Sequence, residues 1–179
     1  MAEAEQTPFT RFDKLEVTIC LQVNRSAHCL PVRRFFGCIS WLGNGIFWYV
    51  LLAMLPILYG PAAIWPTLRI SGIALIGVVI YKVVKSRLVR ERPFVAFPDI
   101  LFGSPPMDRY SFPSGHSLHA TSFSILILYS FPTLGFIVLP FAIMVILSRV
   151  ILGLHYPSDV LAGVVIGATL ASASLWMLG

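Results

Sequence analysis

Three short clusters carry most of the residue types in this chain that could do chemistry: KSRLVRERP at 85–93, YSFPSGHSLHA at 110–120 and SRVILGLHYPSD at 148–159. In the first, Lys85 and Arg92 offer a point charge and a planar guanidinium fork, a grip suited to a tetrahedral oxyanion. A basic cap touching lipid headgroups would look the same. In the second, Ser114 is a good N-cap and Gly115 lets the backbone come close, so the helix start offers free N–H groups and a positive dipole end to an anion. His116 sits at the edge of that site and can give or take a proton near neutrality. His119, one turn later, reads as a packed or hydrogen-bonded histidine. In the third, His155 and Asp159 stand four residues apart across a turn broken by Gly153 and Pro157. The carboxylate can hold one imidazole nitrogen and leave the other nucleophilic. Arg149 adds a third cation; reading it with Asp159 as a bridge between two helix ends leaves His155 unexplained.

Other chemistries fit less well. His116, His119, His155, Asp108 and Asp159 could ligate a metal, but HExxH and Cys-based patterns are missing, and Lys85, Arg92 and Arg149 would repel a cation. No metal or other cofactor is expected. The formal net charge is +5, yet no basic stripe with interleaved aromatics stands outside the apolar segments, so nucleic acid is not an expected partner. Cys20, Cys29 and Cys38 are an odd number without CxxC spacing, which suggests neither a disulfide framework nor a zinc site.

The elements that must position these groups are apolar helices. The chain has 179 residues, 57% hydrophobic and 12% charged, a membrane-protein composition. Five windows approach the ~20 residues that a bilayer core requires: 38–59, 68–88, 115–131, 134–152 and 158–178. The expected fold is all-α, an integral-membrane bundle of about five transmembrane helices, preceded by an amphipathic interfacial segment at 1–34. In that segment Phe12, Leu15, Ile19 and Val23 recur at a helical period. The order of loops and spans brings the ends of spans two and four and the starts of spans three and five to one side, with the long loop 89–113. Every cluster lies there. Gly163, Gly167 and Ala171 line one small face of the last span, suited to close helix packing, or to a homodimer as the lesser alternative.

KSRLVRERP, PSGH and SRVILGLHYPSD match in order the signature motifs KxxxxxxRP, PSGH and SRxxxxxHxxxD, so the chain resembles the type 2 phosphatidic acid phosphatase superfamily from Lys85 to Asp159. The resemblance implies that residues 35–179 form a transmembrane phosphatase domain working without metal on a lipid phosphate monoester or pyrophosphate held in the bilayer. Phosphatidic acid, phosphatidylglycerol phosphate, lipid A phosphate and undecaprenyl pyrophosphate all fit. It further implies that His155 becomes a transient phosphohistidine oriented by Asp159, and that His116 protonates the leaving oxygen and then assists water. Lys85, Arg92, Ser114, Gly115 and Arg149 would hold the phosphate. Ser148 belongs to the motif without an assigned role. Vanadium-dependent haloperoxidases share the motifs but resemble soluble proteins; a phosphotransferase would replace water by another acceptor. A lipid transporter or binding protein would not need the two histidines and the carboxylate together.

The implied home is the inner membrane of a bacterial cell, where relatives commonly turn the site outward. The basic residues of the site side, Arg11, Lys14, Arg25, Arg33, Arg34, Arg87, Arg90 and Arg109 against Arg69 opposite, argue for a cytoplasmic site through the positive-inside rule. The two arguments point in opposite directions.

Overall fold

A computed structural model describes residues 8–106 and 108–178. The side chains of 8–13 and of Leu178 lie outside the description, and with them the expected contributions of Arg11 and Phe12. Among the described residues eight α-helices follow in order: α1 Pro8–Asn24, α2 Leu30–Leu42, α3 Ile46–Tyr59, α4 Ile64–Arg87, the single turn α5 Pro93–Ala96, α6 Gly115–Ser130, α7 Gly135–Ile151 and α8 Pro157–Leu178. No strand occurs among the described residues.

The apolar windows at 68–88, 134–152 and 158–178 become helical segments long and apolar enough to cross a membrane, over Pro61–Arg87, Pro132–Ile151 and Pro157–Met177. The first window differs. It is a pair, α2 and α3, bent by 50° at Gly43-Asn44-Gly45, and it counts as a fourth span only when the pair is taken together. The remaining window is α6, whose 16 residues rise about 24 Å at 1.5 Å each, short of a ~30 Å hydrocarbon core. Its short length goes with its position: α4, α7 and α8 all pack against it, and Leu118, Ala120, Phe123, Leu126 and Ile127 are buried. The protein is a multi-pass membrane bundle built around α6. Outward side chains such as Leu75, Val79, Phe136, Leu161 and Trp176 are exposed, as lipid-facing positions require.

Aromatic packing holds the broken pair to this centre. Trp48 of α3 stacks on Phe123 of α6 with ring centroids 4.7 Å apart, and its edge meets Phe141 of α7. On the other flank the small face of α8 is taken up within the chain. A β-carbon at Gly163 or Gly167 would collide with the backbone oxygens of Ser114 and Leu118. Close approach at these two glycines seats α8 against the start of α6, which carries His116.

The inward side of the N-terminal helix carries polar groups, while Ile19 and Val23 of its apolar set are part-buried. Glu16, Cys20, Asn24 and Ala27 are buried, whereas Leu15 is 59% exposed. Within a membrane-embedded fold, polar groups gain by turning toward one another and apolar groups lose nothing by facing lipid. α1 therefore contacts α7 and α8 through a polar stripe at i, i+4 and i+8. Gly167→Ala should lower the thermal midpoint of the detergent-purified protein by the equivalent of about 1–3 kcal/mol, the usual cost of overpacking. An unchanged midpoint would remove this close approach from the account.

Candidate active site

His155 reaches its position through a tight stop to α7. Gly153 adopts φ +71°, a left-handed value that favours glycine, and a β-carbon there would meet Ile100 and the Leu101 carbonyl. The turn closes on one acceptor: the N–H groups of Leu154 and His155 both donate to the Arg149 carbonyl, each at 3.0 Å. Asn24 locks it from α1, donating to the carbonyls of Ile151 (2.9 Å) and Leu101 (3.1 Å) while accepting from Leu101 N–H (2.7 Å).

The two imidazole nitrogens of His155 meet opposite environments. Nδ1 faces Asp159 Oδ2 at 3.6 Å, just beyond hydrogen-bond length, and has no hydrogen-bond partner among the described residues. Nε2 faces the cavity and stands 3.3 Å from Arg92 Nη1. The carboxylate thus lies near one nitrogen and Arg92 beside the other. The Asp159 contact is an approach and not a formed hydrogen bond. Asp159 is otherwise engaged: Oδ2 accepts from Tyr156 N–H (2.9 Å) and Oδ1 from Arg90 Nη1 (2.8 Å). Burial first, then the charges of Arg149, Arg92 and Lys85, hold His155 well below the ordinary imidazole value of 6.5.

Three cations converge beside Nε2. Arg92, 2% exposed, donates through Nη1 to Leu154 O (2.7 Å) and through Nε to Asp108 O (3.1 Å). Its Nη2 and the Lys85 ammonium both reach Asp108 Oδ1, each at 2.7 Å. Arg149, also 2% exposed, donates to Ser40 Oγ of α2; its Nε has no partner among the described residues. This donor set fits an oxyanion.

α6 starts at the same wall. Ser114 is fully buried and its hydroxyl caps the helix, accepting from Ser117 N–H (3.4 Å) and Ser117 Oγ (2.9 Å). Its own N–H donates to Asp159 O (3.0 Å), which ties the second motif to the third. Gly115 and His116 line the cavity instead, their N–H groups at helix positions that lack intrahelical acceptors. A β-carbon at Gly115 would press on the Tyr81 ring at 3.1 Å. His116 Nε2 hydrogen-bonds Asn44 Oδ1 at the bend between α2 and α3. His119 lies in the same wall, packed near Phe123, with Nδ1 unpartnered among the described residues. Ser148 bonds back to Val145 O within α7 and does not face the cavity.

Behind Asp159 runs a second charged chain. Arg90 Nη1 bridges Ser158 Oγ (2.7 Å) and Asp159 Oδ1, while Nη2 meets Glu16 Oε2 (2.6 Å). Glu16 Oε1 accepts from Ser158 N–H (2.7 Å), and the guanidinium lies 3.9 Å over the Tyr156 ring. One of the arginines counted toward membrane orientation is therefore occupied by a structural network.

The cavity in front of these groups encloses about 610 Å³. Lys85, Arg92, Asp108, His116, Arg149 and His155 line one part, and Trp48, Leu52, Ala74, Leu75 and Val78 line another, between α3 and α4. It is polar at the cations and apolar where the helices face lipid.

The profile of the PAP2 superfamily matches residues 66–179, a stretch that contains the whole of this wall except α2 and α3. The chain belongs to the PAP2 superfamily. Among curated proteins it is 34% identical over 142 residues to an undecaprenyl-diphosphatase of Sulfolobus acidocaldarius, covering 76% of this chain and 66% of that protein. It is 34% identical over 127 residues to a decaprenylphosphoryl-5-phosphoribose phosphatase of Mycolicibacterium smegmatis, covering 70% of this chain and 67% of that one. The chain thus spans about two thirds of the length of these relatives. In fold it is similar to LpxE of Aquifex aeolicus, with TM-score 0.78, 23% identity and coverage of 90% and 95% of the two chains. A PAP2 type phosphatidylglycerolphosphate phosphatase from Bacillus subtilis gives TM-score 0.71 at 23% identity, with coverage of 89% and 84%.

Of the PAP2 motif residues, Lys85, Arg92, Gly115, His116, Arg149 and His155 line the cavity, and Ser114 and Asp159 lie fully buried behind them. Sequence reasoning missed Ser40, Asn44, Glu16 and Arg90, and considered Asp108 only as a metal ligand. Glu16 had one available signal, its i, i+4, i+8 spacing with Cys20 and Asn24.

Two outcomes follow. Arg90→Ala leaves Glu16 and Asp159 buried without their counter-charge and should destabilise the protein by about 3 kcal/mol, the low end of the usual range for breaking a buried pair because Arg90 keeps 30% side-chain exposure. Thermal unfolding of wild type, Arg90→Ala and Arg90→Lys reads this, with the lysine variant intermediate. For pH, any attack by His155 needs the neutral ring, and a lowered pKa keeps it neutral further into acid. The acid limb of kcat/KM should therefore lie below pH 6.5; a limb above that value would contradict the environment described.

Proposed function

We propose that this PAP2 protein is an integral-membrane lipid phosphate phosphatase acting through a phosphohistidine. The observation that carries the reading is the placement of His155 Nε2 against Arg92, at the cationic part of a cavity that is apolar elsewhere. A phosphate monoester or pyrophosphate seats among Lys85, Arg92, Arg149 and the N–H groups at Gly115 and His116, while its tail stays between α3 and α4. His155 Nε2 attacks phosphorus as the bond to the leaving oxygen breaks, and His116 supplies that oxygen's proton. Asp159 pairs with the positive charge that develops on the imidazole. Water then attacks the phosphohistidine, His116 takes its proton, and the N–P bond breaks to release phosphate. The fixed cations favour the charge that spreads over the oxygens in transfer.

The names of its relatives support a lipid substrate. A diphosphatase and a phosphatase acting on polyprenyl compounds stand beside a lipid A 1-phosphatase of Rhizobium johnstonii that is 43% identical over 58 residues, which is 32% of this chain and 24% of that protein. A polyprenyl phosphate or diphosphate is the favoured member of the class. The reading includes a bacterial cell membrane as the location.

The test is phosphate release in detergent from a panel of polyprenyl diphosphate, polyprenyl phosphate, phosphatidic acid, phosphatidylglycerol phosphate and lipid A phosphate. Wild type should release phosphate from at least one, fastest from a polyprenyl substrate. His155→Ala should fall by at least about a thousandfold, as loss of a nucleophile does. Wild type without activity on every lipid, or His155→Ala with normal activity, would end the phosphatase reading.

A further inference from the structure

Asp108 belongs to none of the three motifs, yet its carboxylate stands on the cations meant for phosphate. Oδ1 accepts from both Lys85 Nζ and Arg92 Nη2, each at 2.7 Å, and Oδ2 accepts from the Tyr81 hydroxyl. The side chain is not sealed away: it is 28% exposed and lines the same cavity as His155, His116 and Arg149. Burial alone would raise its pKa; the hydrogen bonds from Lys85 and Tyr81 and the charges of Lys85 and Arg92 outweigh that and hold it below the usual carboxylate value. The group at this position is an anion.

The hydrogen bonds of Arg92 give the arrangement its consequence. Nε, Nη1 and Nη2 are all engaged, by Asp108 O, Leu154 O and Asp108 Oδ1. The carboxylate is the anionic one of these acceptors, and it alone also accepts a hydrogen bond from Lys85. A substrate phosphate can approach Arg149, which lines the same cavity and holds no carboxylate among the described residues, without displacing an anion. It gains Arg92 Nη2 and the bonded Lys85 proton only by taking them from Asp108. A phosphate group can carry more charge than a carboxylate and can span both donors from separate oxygens, so the exchange is feasible.

We propose that Asp108 is a resident counter-anion of the phosphate pocket, which occupies Lys85 and Arg92 between turnovers, is displaced by the substrate's phosphate group, and so sets how tightly the site retains phosphate. This rests on the phosphatase reading above. Two buried cations left bare in a membrane bundle would be costly; Asp108 neutralises part of that charge without a covalent or permanent seal. It also weakens the hold on product, since a ligand's apparent affinity falls by the fraction of time the competent state is open. A carboxylate resident about nine-tenths of the time would weaken phosphate binding about tenfold.

The experiment is calorimetric titration of inorganic phosphate into the intact detergent-purified protein, with wild type, Asp108→Asn and Asp108→Glu compared at pH 7. Asp108→Asn keeps the shape and a neutral acceptor but gives up the competing charge, so phosphate should bind about tenfold tighter. Asp108→Glu keeps the charge and should bind phosphate within about threefold of wild type, by the same competition. On any lipid substrate identified by the panel, KM and the inhibition constant of phosphate should fall together in Asp108→Asn without a rise in kcat. Thermal midpoints of all three proteins identify a variant that is merely misfolded, and Asp108→Ser then replaces it.

Weaker phosphate binding by folded Asp108→Asn would overturn the proposal, because Asp108 would then be a clamp that preorganises Lys85 and Arg92. Equal tightening in Asp108→Asn and Asp108→Glu, or no phosphate binding by wild type or variant, would overturn it as well. Failure here is distinct from failure of the phosphatase reading, which the His155→Ala comparison decides separately.

Discussion

Lys85, Arg92 and Arg149 are buried close together in a bundle whose outer surface meets lipid, and this concentration of positive charge constrains everything around it. Charges at such depth are tolerated only when paired or turned to a wet cavity. Asp108 answers two of them and Ser40 gives the third a hydrogen-bond acceptor. Arg149 and His155 line the cavity with them, Arg149 Nε without a partner among the described residues and His155 Nε2 beside Arg92. What the fold leaves incomplete is shaped for an anion.

The same accounting explains the N-terminal helix. Asp159 must stay charged to be useful beside an imidazole, yet it is fully buried. Arg90 supplies its counter-charge, and Glu16 on α1 holds Arg90 in turn. A buried pair of this kind contributes little net stability, but removing one member is expensive. α1 is thus joined to the wall of the cavity by polar contacts through Glu16 and Asn24, beside a small apolar cluster of Val17, Cys20 and Leu21 with Ile100 and Tyr156. Cavity and network share Asp159, which faces His155 on one side and the network on the other.

Packing at the centre of the bundle serves alignment. Gly163 and Gly167 let α8 approach α6 until Ser114 N–H reaches the Asp159 carbonyl, so the helix that carries His116 and the turn that carries His155 are fixed to each other. The break between α2 and α3 does comparable service, since it brings Asn44 to His116 while Trp48 anchors the far side on Phe123. Because α6 is enclosed, His116 rides on an element with few ways to move.

The all-α class, the four apolar windows after the first, and the gathering of Lys85, His116, Arg149 and His155 at one face were legible from the chain itself, because hydropathy and motif spacing are local properties that threading carries to a common level. Which polar group meets which is not local. Glu16 and Asp159 are 143 positions apart, and nothing in either neighbourhood names Arg90 as the link. The inward side of α1 was not legible for the same reason: in a membrane the buried side of a helix is chosen by the partners it finds, and apolar residues can face outward at no cost. Ser114, legible as a cap, was also expected to touch phosphate, but the fold buries its hydroxyl against Ser117. Residue type and spacing determined the available chemistry; the tertiary structure decided its pairings, because a hydrogen bond or ion pair depends on distances of a few ångströms that only packing fixes.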